Sequence, residues 1–200
     1  MSAARRVAAI ATLLLAGCAA TPQATVPTAA DAFLAALSAH CGKAYAGHVA
    51  EDVPASANDA FANRPIVVHF RRCAPGRVEM PLHVGDDRSR TWVVTRTASG
   101  LQLEHDHRHE DGHPDAVTMY GGATHGPGTA MRQEFPVDAR SIALFRANGL
   151  PASVTNTWAL EVGPGDTLAY ELTRPGGRRF RLEFDLARPV PAPPAPWGHQ

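Results

Sequence analysis

The feature that most limits the fold of this chain is a series of short segments in which apolar and polar residues alternate. A period of two is typical of strands with one buried face, whereas amphipathic helices repeat about every 3.6 residues. The segment from Phe180 to Leu186 shows the alternation most clearly. Seventeen glycines and seventeen prolines supply turn residues. The pattern therefore predicts many strands joined by short turns.

About ten segments fit this pattern: 44–51, 66–70, 78–84, 92–97, 101–109, 117–120, 129–135, 158–162, 168–172 and 180–186. Apolar residues at helical spacing predict one helix over 30–40. A second, short helix is expected near 139–147, ended by Asn148-Gly149. Because short turns place successive strands side by side and closure hides the sheet edges, we predict an all-β, antiparallel up-and-down barrel with a short N-terminal helix. A β-sandwich is the alternative.

The N-terminal segment has the features of an export signal. A positive pair, Arg5 and Arg6, precedes an apolar run that is too short to span a bilayer, since spanning needs about 20 residues. The following Leu15-Ala16-Gly17-Cys18 resembles the lipobox of bacterial lipoproteins. The predicted organisation is a signal peptide at 1–17, a lipid-anchored tether at 18–29, a barrel at 30–186 and a Pro-rich tail at 187–200. The alternative is an ordinary secretory signal with Cys18 incidental.

The lipobox resemblance implies that Cys18 becomes the acylated N-terminus and carries palmitate-type chains. Ala19 stands where an inner-membrane lipoprotein often has aspartate, so the outer membrane, facing the periplasm, is the expected location. The membrane would be a partner through that lipid. Nineteen basic and nineteen acidic residues balance, which argues against nucleic acid as a partner.

Cys41 and Cys73 are the two other cysteines of the chain. Export to an oxidising compartment favours a disulfide between them. Such a bond would close a loop of about 32 residues and contribute on the order of 3–4 kcal/mol. Two buried free thiols are the alternative.

The histidine-rich run His105-Asp106-His107-Arg108-His109 is the strongest candidate for chemistry. Residues two apart share a strand face, so His105, His107 and His109 continue the face that Leu101 and Leu103 begin. Imidazoles at this spacing could hold zinc or copper, with His113 or a neighbouring strand supplying a further ligand. Polar lining without a metal, or an acid–base role near neutral pH, are the alternatives.

Two further stretches could contribute to a site. Arg88 and Arg90 flank a serine and could hold a carboxylate or phosphate, with Trp92 as a pocket wall. Tyr120 ends a predicted strand and precedes a Gly-rich loop at 121–128, whose glycines let the backbone approach a ligand closely. Solvated hairpin loops are the alternative for both stretches.

The runs SRTW, HDHRHEDG and MYGG, followed by Phe135-Pro136-Val137-Asp138, look similar to a family of uncharacterised bacterial secreted lipoproteins over residues 33–186. That resemblance implies no activity. In strand count and leading helix the chain also resembles calycin (lipocalin-like) barrels. Tyr45 stands where the lipocalin G-x-W step has tryptophan, so no binding specificity follows from the likeness.

These observations predict a cell-envelope binding module for a small molecule or metal, built on a β-barrel. Two other functions remain as alternatives. One is a metal-dependent or histidine-based enzyme, and the other is a structural envelope protein whose barrel is filled by side chains.

Overall fold

A computed structural model describes residues 27–56, 60–163 and 165–199. It contains helices α1 (Ala29–Ser38) and α2 (Ala139–Ala147), a 3₁₀ helix (Pro151–Thr155), and strands β1 (Ala44–Val53), β2 (Ile66–His69), β3 (Arg72–Ala74), β4 (Arg77–Val84), β5 (Asp87–Thr97), β6 (Gly100–His107), β7 (Tyr120–Ala123), β8 (Arg132–Pro136), β9 (Thr157–Gly163), β10 (Thr167–Arg174) and β11 (Arg178–Val190). The predicted signal peptide, Cys18 and most of the tether lie outside the described residues. Within the described ranges, the helices are too short or too polar to cross a bilayer.

One antiparallel sheet runs in the order β7-β6-β5-β4-β2-β1-β11-β10-β9-β8, and β3 pairs with β4 beside this path. Apart from β3, strands that follow each other in sequence are hydrogen-bonded neighbours except for β7 and β8, and β1 pairs with β11. The sheet therefore curls until β7 and β8 approach each other. This confirms the predicted up-and-down barrel of about ten strands with a short leading helix.

Side chains that alternate inward along the strands form one continuous core. Its fully buried members include Val68, Phe70, Met80, Leu82, Val94, Leu101, Leu103, Phe135, Trp158, Leu160, Leu168, Leu182 and Phe184. Packing of this density inside the sheet is the main stabilising contribution to such a fold.

Helix α1 closes one end of the barrel. It begins with a capping box in which Thr28 and Asp31 satisfy each other's backbone N–H groups. Phe33 and Leu37 are fully buried in the barrel core, and each such burial contributes roughly 1.5–3 kcal/mol. Arg96, at the end of β5, donates to Asp31 across 2.6 Å. The helix contacts β4, β5, β8 and β9, and thus covers the barrel opening at the end of β5.

The predicted disulfide between Cys41 and Cys73 is present, with Cα atoms 6.0 Å apart. It joins the segment after α1 to β3. The bond therefore fixes the helix that closes the barrel to the sheet that it covers.

The gap between β7 and β8 is closed by glycines. Gly121 and Gly122 were expected in a loop after a strand at 117–120, but they lie in β7. A Cβ atom on Gly122 would lie 1.8 Å from the Pro136 carbonyl oxygen, so the two backbones meet only because Gly122 has no side chain. Gly121 accepts from the Asp138 N–H at 3.0 Å and donates to the Ser141 hydroxyl oxygen at 2.8 Å. Helix α2 thus covers this seam.

The C-terminal tail differs from the prediction in its boundary. Strand β11 continues to Val190, past the expected end at 186, and Pro189 lies opposite Tyr45. Beyond Asp185 the strand pairs only with β1, and such an edge position tolerates proline. Residues 191–199 then return to the outer face of β5, where the Trp197 N–H donates to the Arg88 carbonyl oxygen at 3.1 Å.

Candidate functional site

A cavity of about 250 Å³ lies inside the barrel, at the end opposite α1. Its lining residues cluster where strands begin or end: Arg90 near the start of β5, His107 at the end of β6 and Arg178 at the start of β11. Exposed Ser56 and Ala60 belong to the lining, so the cavity reaches the surface beside them. The full lining is Ser56, Ala60, Phe61, Leu82, Arg90, Trp92, His105, His107, Tyr120, Tyr170, Leu172, Arg178, Phe180 and Leu182.

The structure brings together five of the seven residues predicted for a ligand site: Arg90, Trp92, His105, His107 and Tyr120. The strand register explains this. In the pairing of β5 with β6, Trp92 lies opposite His105 and Arg90 lies opposite His107, and β7 places Tyr120 opposite His105. Because side chains of directly paired residues share a face, all five point into the barrel.

Arg88 does not join them, although it lies two residues before Arg90 and four before Trp92, a spacing that would place all three on one face of a regular strand. Strand β5 has an irregularity there, since Leu82 pairs with Arg90 whereas Val84 pairs with Asp87. One extra residue on β5 reverses the facing of the residues before it. Arg88 therefore lies on the outer side, where its Nη1 donates to the Ala195 carbonyl oxygen at 3.2 Å.

His109 also lies outside the cavity, because β6 ends at His107. A turn follows in which the His109 N–H donates to the His113 carbonyl oxygen at 2.9 Å. The side chain of His109 is 59% exposed, with its Nε2 3.7 Å from Asp115. The expected continuation of the inner face beyond His107 is thus interrupted by the turn.

Aromatic rings form the inner wall of the cavity. Trp92 and Tyr170 stack with their ring centroids 4.3 Å apart. His105 and Tyr120 stack at 4.8 Å. Trp158 lies behind them, 5.0 Å from the His105 ring. Rings packed in this way hold their positions, because each one excludes the rotamers of the next.

His105 is fixed between two partners. Its Nδ1 lies 3.1 Å from the Tyr120 carbonyl oxygen, which only accepts, so Nδ1 carries the proton. Its Nε2 then accepts from the Tyr170 hydroxyl at 2.9 Å. Burial lowers the pKa of His105 to about 3. The ring is therefore neutral at physiological pH.

His107 and Tyr120 form a second pair, with the Tyr120 hydroxyl oxygen 3.0 Å from His107 Nε2. Burial, followed by the positive charge of Arg90, lowers the pKa of His107 to about 4. Burial raises the pKa of Tyr120 to about 12 and raises the pKa of Tyr170 well above its ordinary value. Each of these groups is uncharged near neutral pH.

The three-histidine metal site expected at His105, His107 and His109 is not formed. Both ring nitrogens of His105 are hydrogen-bonded within the barrel, and His109 lies in the exposed turn. Over the ranges that the structure describes, no group of three or more His, Cys, Asp or Glu side chains is placed to hold a metal ion. Among the described residues, the cavity therefore lacks the three protein ligands that a zinc or copper site usually has.

Two arginines stand at the cavity mouth. Arg90 Nη1 donates to Asp87 at 2.6 Å, and its guanidinium carbon lies 5.7 Å from the centre of the Phe61 ring. Arg178 is bound to Asp52 and donates from Nη2 to the Ser56 hydroxyl oxygen at 3.2 Å. Both aspartates lie outside the cavity lining. Each ion pair holds its guanidinium group in place.

Sequence reasoning did not place Phe61, Tyr170, Arg178 and Phe180 in the cavity. Tyr170 and Phe180 lie in alternating segments that were predicted as strands. Their positions on the apolar, inward face of those strands could have identified them. Arg178 precedes Phe180 by two residues and has the same facing. Phe61 lies in the segment between β1 and β2, where no periodic pattern marks it.

The comparisons with known proteins add no relative. Neither a family model, nor a curated protein, nor a solved structure matches this chain.

The buried histidines predict a pH-dependent stability. His105 and His107 have pKa values of about 3 and about 4, below the ordinary value of 6.5. On acidification, these histidines therefore take up protons at a higher pH in the unfolded chain than in the folded protein. As a result, the free energy of unfolding decreases as the pH falls from about 6.5 towards 4. We expect a slope of up to about 1.4 kcal/mol per pH unit for each such histidine. Urea unfolding between pH 7.5 and 4.5 measures it.

Substitution of His105 isolates the contribution of this residue to the pH dependence of the free energy of unfolding. His105→Gln should have a shallower slope than the wild type over this pH window. His125→Gln, at an exposed loop position, is the matched control and should keep the wild-type slope. Equal slopes for wild type and His105→Gln would show that His105 is not held neutral in the folded protein.

Proposed function

We propose that this protein is a binding module that takes a small organic molecule into the mouth of its barrel. The observation that carries the proposal is the unfilled space of about 250 Å³ among inward-facing aromatic and polar side chains. Pockets for drug-sized ligands usually measure roughly 300–1,000 Å³. A ligand of one ring with a short substituent fits the smaller volume.

The same space argues against the structural alternative. A barrel whose role is purely structural fills its interior with close-packed side chains. Here, the half of the interior near α1 is packed in this way, whereas the other half leaves room beside Trp92 and Tyr170. Polar atoms also remain within reach of that space, on Arg90 and His107.

The acid–base alternative has less support. A general acid or base works best when its pKa lies near the working pH. In this cavity the environment moves the histidine pKa values down to about 3 and about 4, and it moves the Tyr120 pKa up to about 12. Proton transfer at neutral pH is thereby disfavoured, whereas hydrogen bonding to a ligand is not. These directions favour binding over turnover.

Binding of neutral one-ring probes tests this proposal. We expect phenol and 3-phenylpropionamide to bind the purified full-length chain with Kd values below about 1 mM, as a small apolar cavity allows. Saturation-transfer NMR detects the binding and a titration gives the Kd. Leu172→Trp adds a ring to the lining and should weaken both probes by at least about tenfold, because it occupies their space.

Met131→Trp is the matched control. Met131 is 43% exposed and precedes β8, at the other end of the barrel. This variant should bind both probes as the wild type does. The proposal is wrong if neither probe binds the wild type, or if a folded Leu172→Trp variant binds them equally well.

A second part of the proposal concerns location. The lipobox-like Leu15-Ala16-Gly17-Cys18 supports export and acylation at Cys18, and the resulting anchor would hold the barrel at the outer membrane, facing the periplasm. Several acyl chains make such an anchor stable, whereas one binds only marginally.

Metabolic labelling with a palmitate analogue in a two-membrane bacterial host tests this location. The wild type should carry the label and sediment with outer membranes, while Cys18→Ser should carry none. An unlabelled wild type that is released with the periplasmic contents would support an ordinary secretory signal instead.

A further inference from the structure

The charged side chains in the described part of the cavity lining are all positive. Among the described residues, the charged members of the lining are Arg90 and Arg178, and none is an aspartate or a glutamate. Both lining histidines are neutral, as shown above. A bound molecule would therefore meet positive charge at the mouth and uncharged groups further in.

Arg90 has hydrogen-bonding capacity to spare. A guanidinium group has five N–H donors, and one nitrogen, Nη1, is engaged by Asp87 at 2.6 Å. Within the described part of the chain, Nε and Nη2 of Arg90 have no hydrogen-bond partner. Asp87 holds the group in place, and the remaining edge is available for a planar anion.

The charge of Arg90 acts towards the cavity interior. It contributes to lowering the pKa of His107, and it opposes the burial that raises the pKa values of Tyr120 and Tyr170. Three side chains from three other strands thus sense this one guanidinium, while the carboxylate of Asp115, which does not belong to the lining, acts on the pKa values of His107 and Tyr120 in the opposite direction.

Arg178 is more fully engaged, since its Nη1 binds Asp52 and the Pro54 carbonyl oxygen and its Nη2 binds Ser56.

Apolar side chains line much of the cavity that Arg90 borders. The stacked pair Trp92 and Tyr170 forms one side of it, and Leu82, Leu172 and Leu182 also belong to the lining. A ligand with an anionic end and a ring or short apolar chain would match both parts of the cavity at once.

We infer that the cavity selects small organic monoanions, with the anionic group on Nε and Nη2 of Arg90 and the apolar body against Trp92 and Tyr170. This inference rests on the proposed function. A single negative charge fits best, because the carboxylates of Asp87 and Asp52 already offset part of the arginine charge.

Three probes of nearly equal size and shape test the charge preference: 3-phenylpropionate, 3-phenylpropionamide and 3-phenylpropylamine. Isothermal titration of the full-length chain at pH 7.5 should show the carboxylate binding about tenfold more tightly than the amide, because a charged acceptor gains more from the guanidinium. The amine should bind more weakly than the amide. This comparison uses the wild type alone, so it does not depend on the folding of a variant.

Two substitutions then test whether the preference for the carboxylate depends on Arg90. Arg90→Gln should bring carboxylate and amide to within about twofold of each other, because the carboxylate loses the guanidinium that favours it. Arg88→Gln removes an arginine two residues away that faces the outer side, and it should keep the wild-type preference.

The possible outcomes separate this inference from the proposed function. Equal binding of carboxylate and amide by the wild type would overturn the inference and leave the binding function standing. A carboxylate preference that survives in Arg90→Gln would overturn the role of Arg90. Failure of all three probes to bind would overturn the inference, and failure of phenol as well would overturn the proposed function.

Discussion

The architecture depends on how the two ends of the sheet meet at β7 and β8. An open sheet edge exposes unpaired backbone groups and invites association with other chains. Gly122 allows the two backbones to come together, because a Cβ atom there would overlap the Pro136 carbonyl oxygen. Helix α2 adds side-chain and backbone partners at Ser141 and Asp138. Closure at this seam sets the width of the barrel and so the space inside it.

The interior is divided into a packed half and an open half by what covers each end. Helix α1 fills one end with Phe33 and Leu37, and the disulfide at Cys41 fixes the adjoining segment to β3. The other end is bordered by strand termini and by the segment between β1 and β2. Residues near the strand termini, such as Arg90 and His107, consequently face a space that none of the described helices occupies. The binding proposal follows from this asymmetry.

Local patterns predicted most of the fold, since alternation identifies strands and short turns decide which of them are neighbours. They predicted His105 and His107 on the inner face because Leu103 shares their parity. They failed for His109 and Arg88, where a turn and a bulge interrupt the parity; both depend on hydrogen bonds that the sequence does not display. They also predicted Gly121 in a loop, because its hydrogen-bond partners across the seam, Asp138 and Ser141, belong to a segment that is distant in sequence.

The central claim is that the barrel encloses an accessible, ligand-sized space beside Trp92 and Tyr170. The most direct measurement is a crystal structure of the protein soaked with 4-iodophenol, with the iodine located by its anomalous scattering. This account predicts an iodine peak inside the barrel, between the Trp92–Tyr170 pair and Arg90. Side chains that fill this space, or iodine found only on the outer surface, would contradict it.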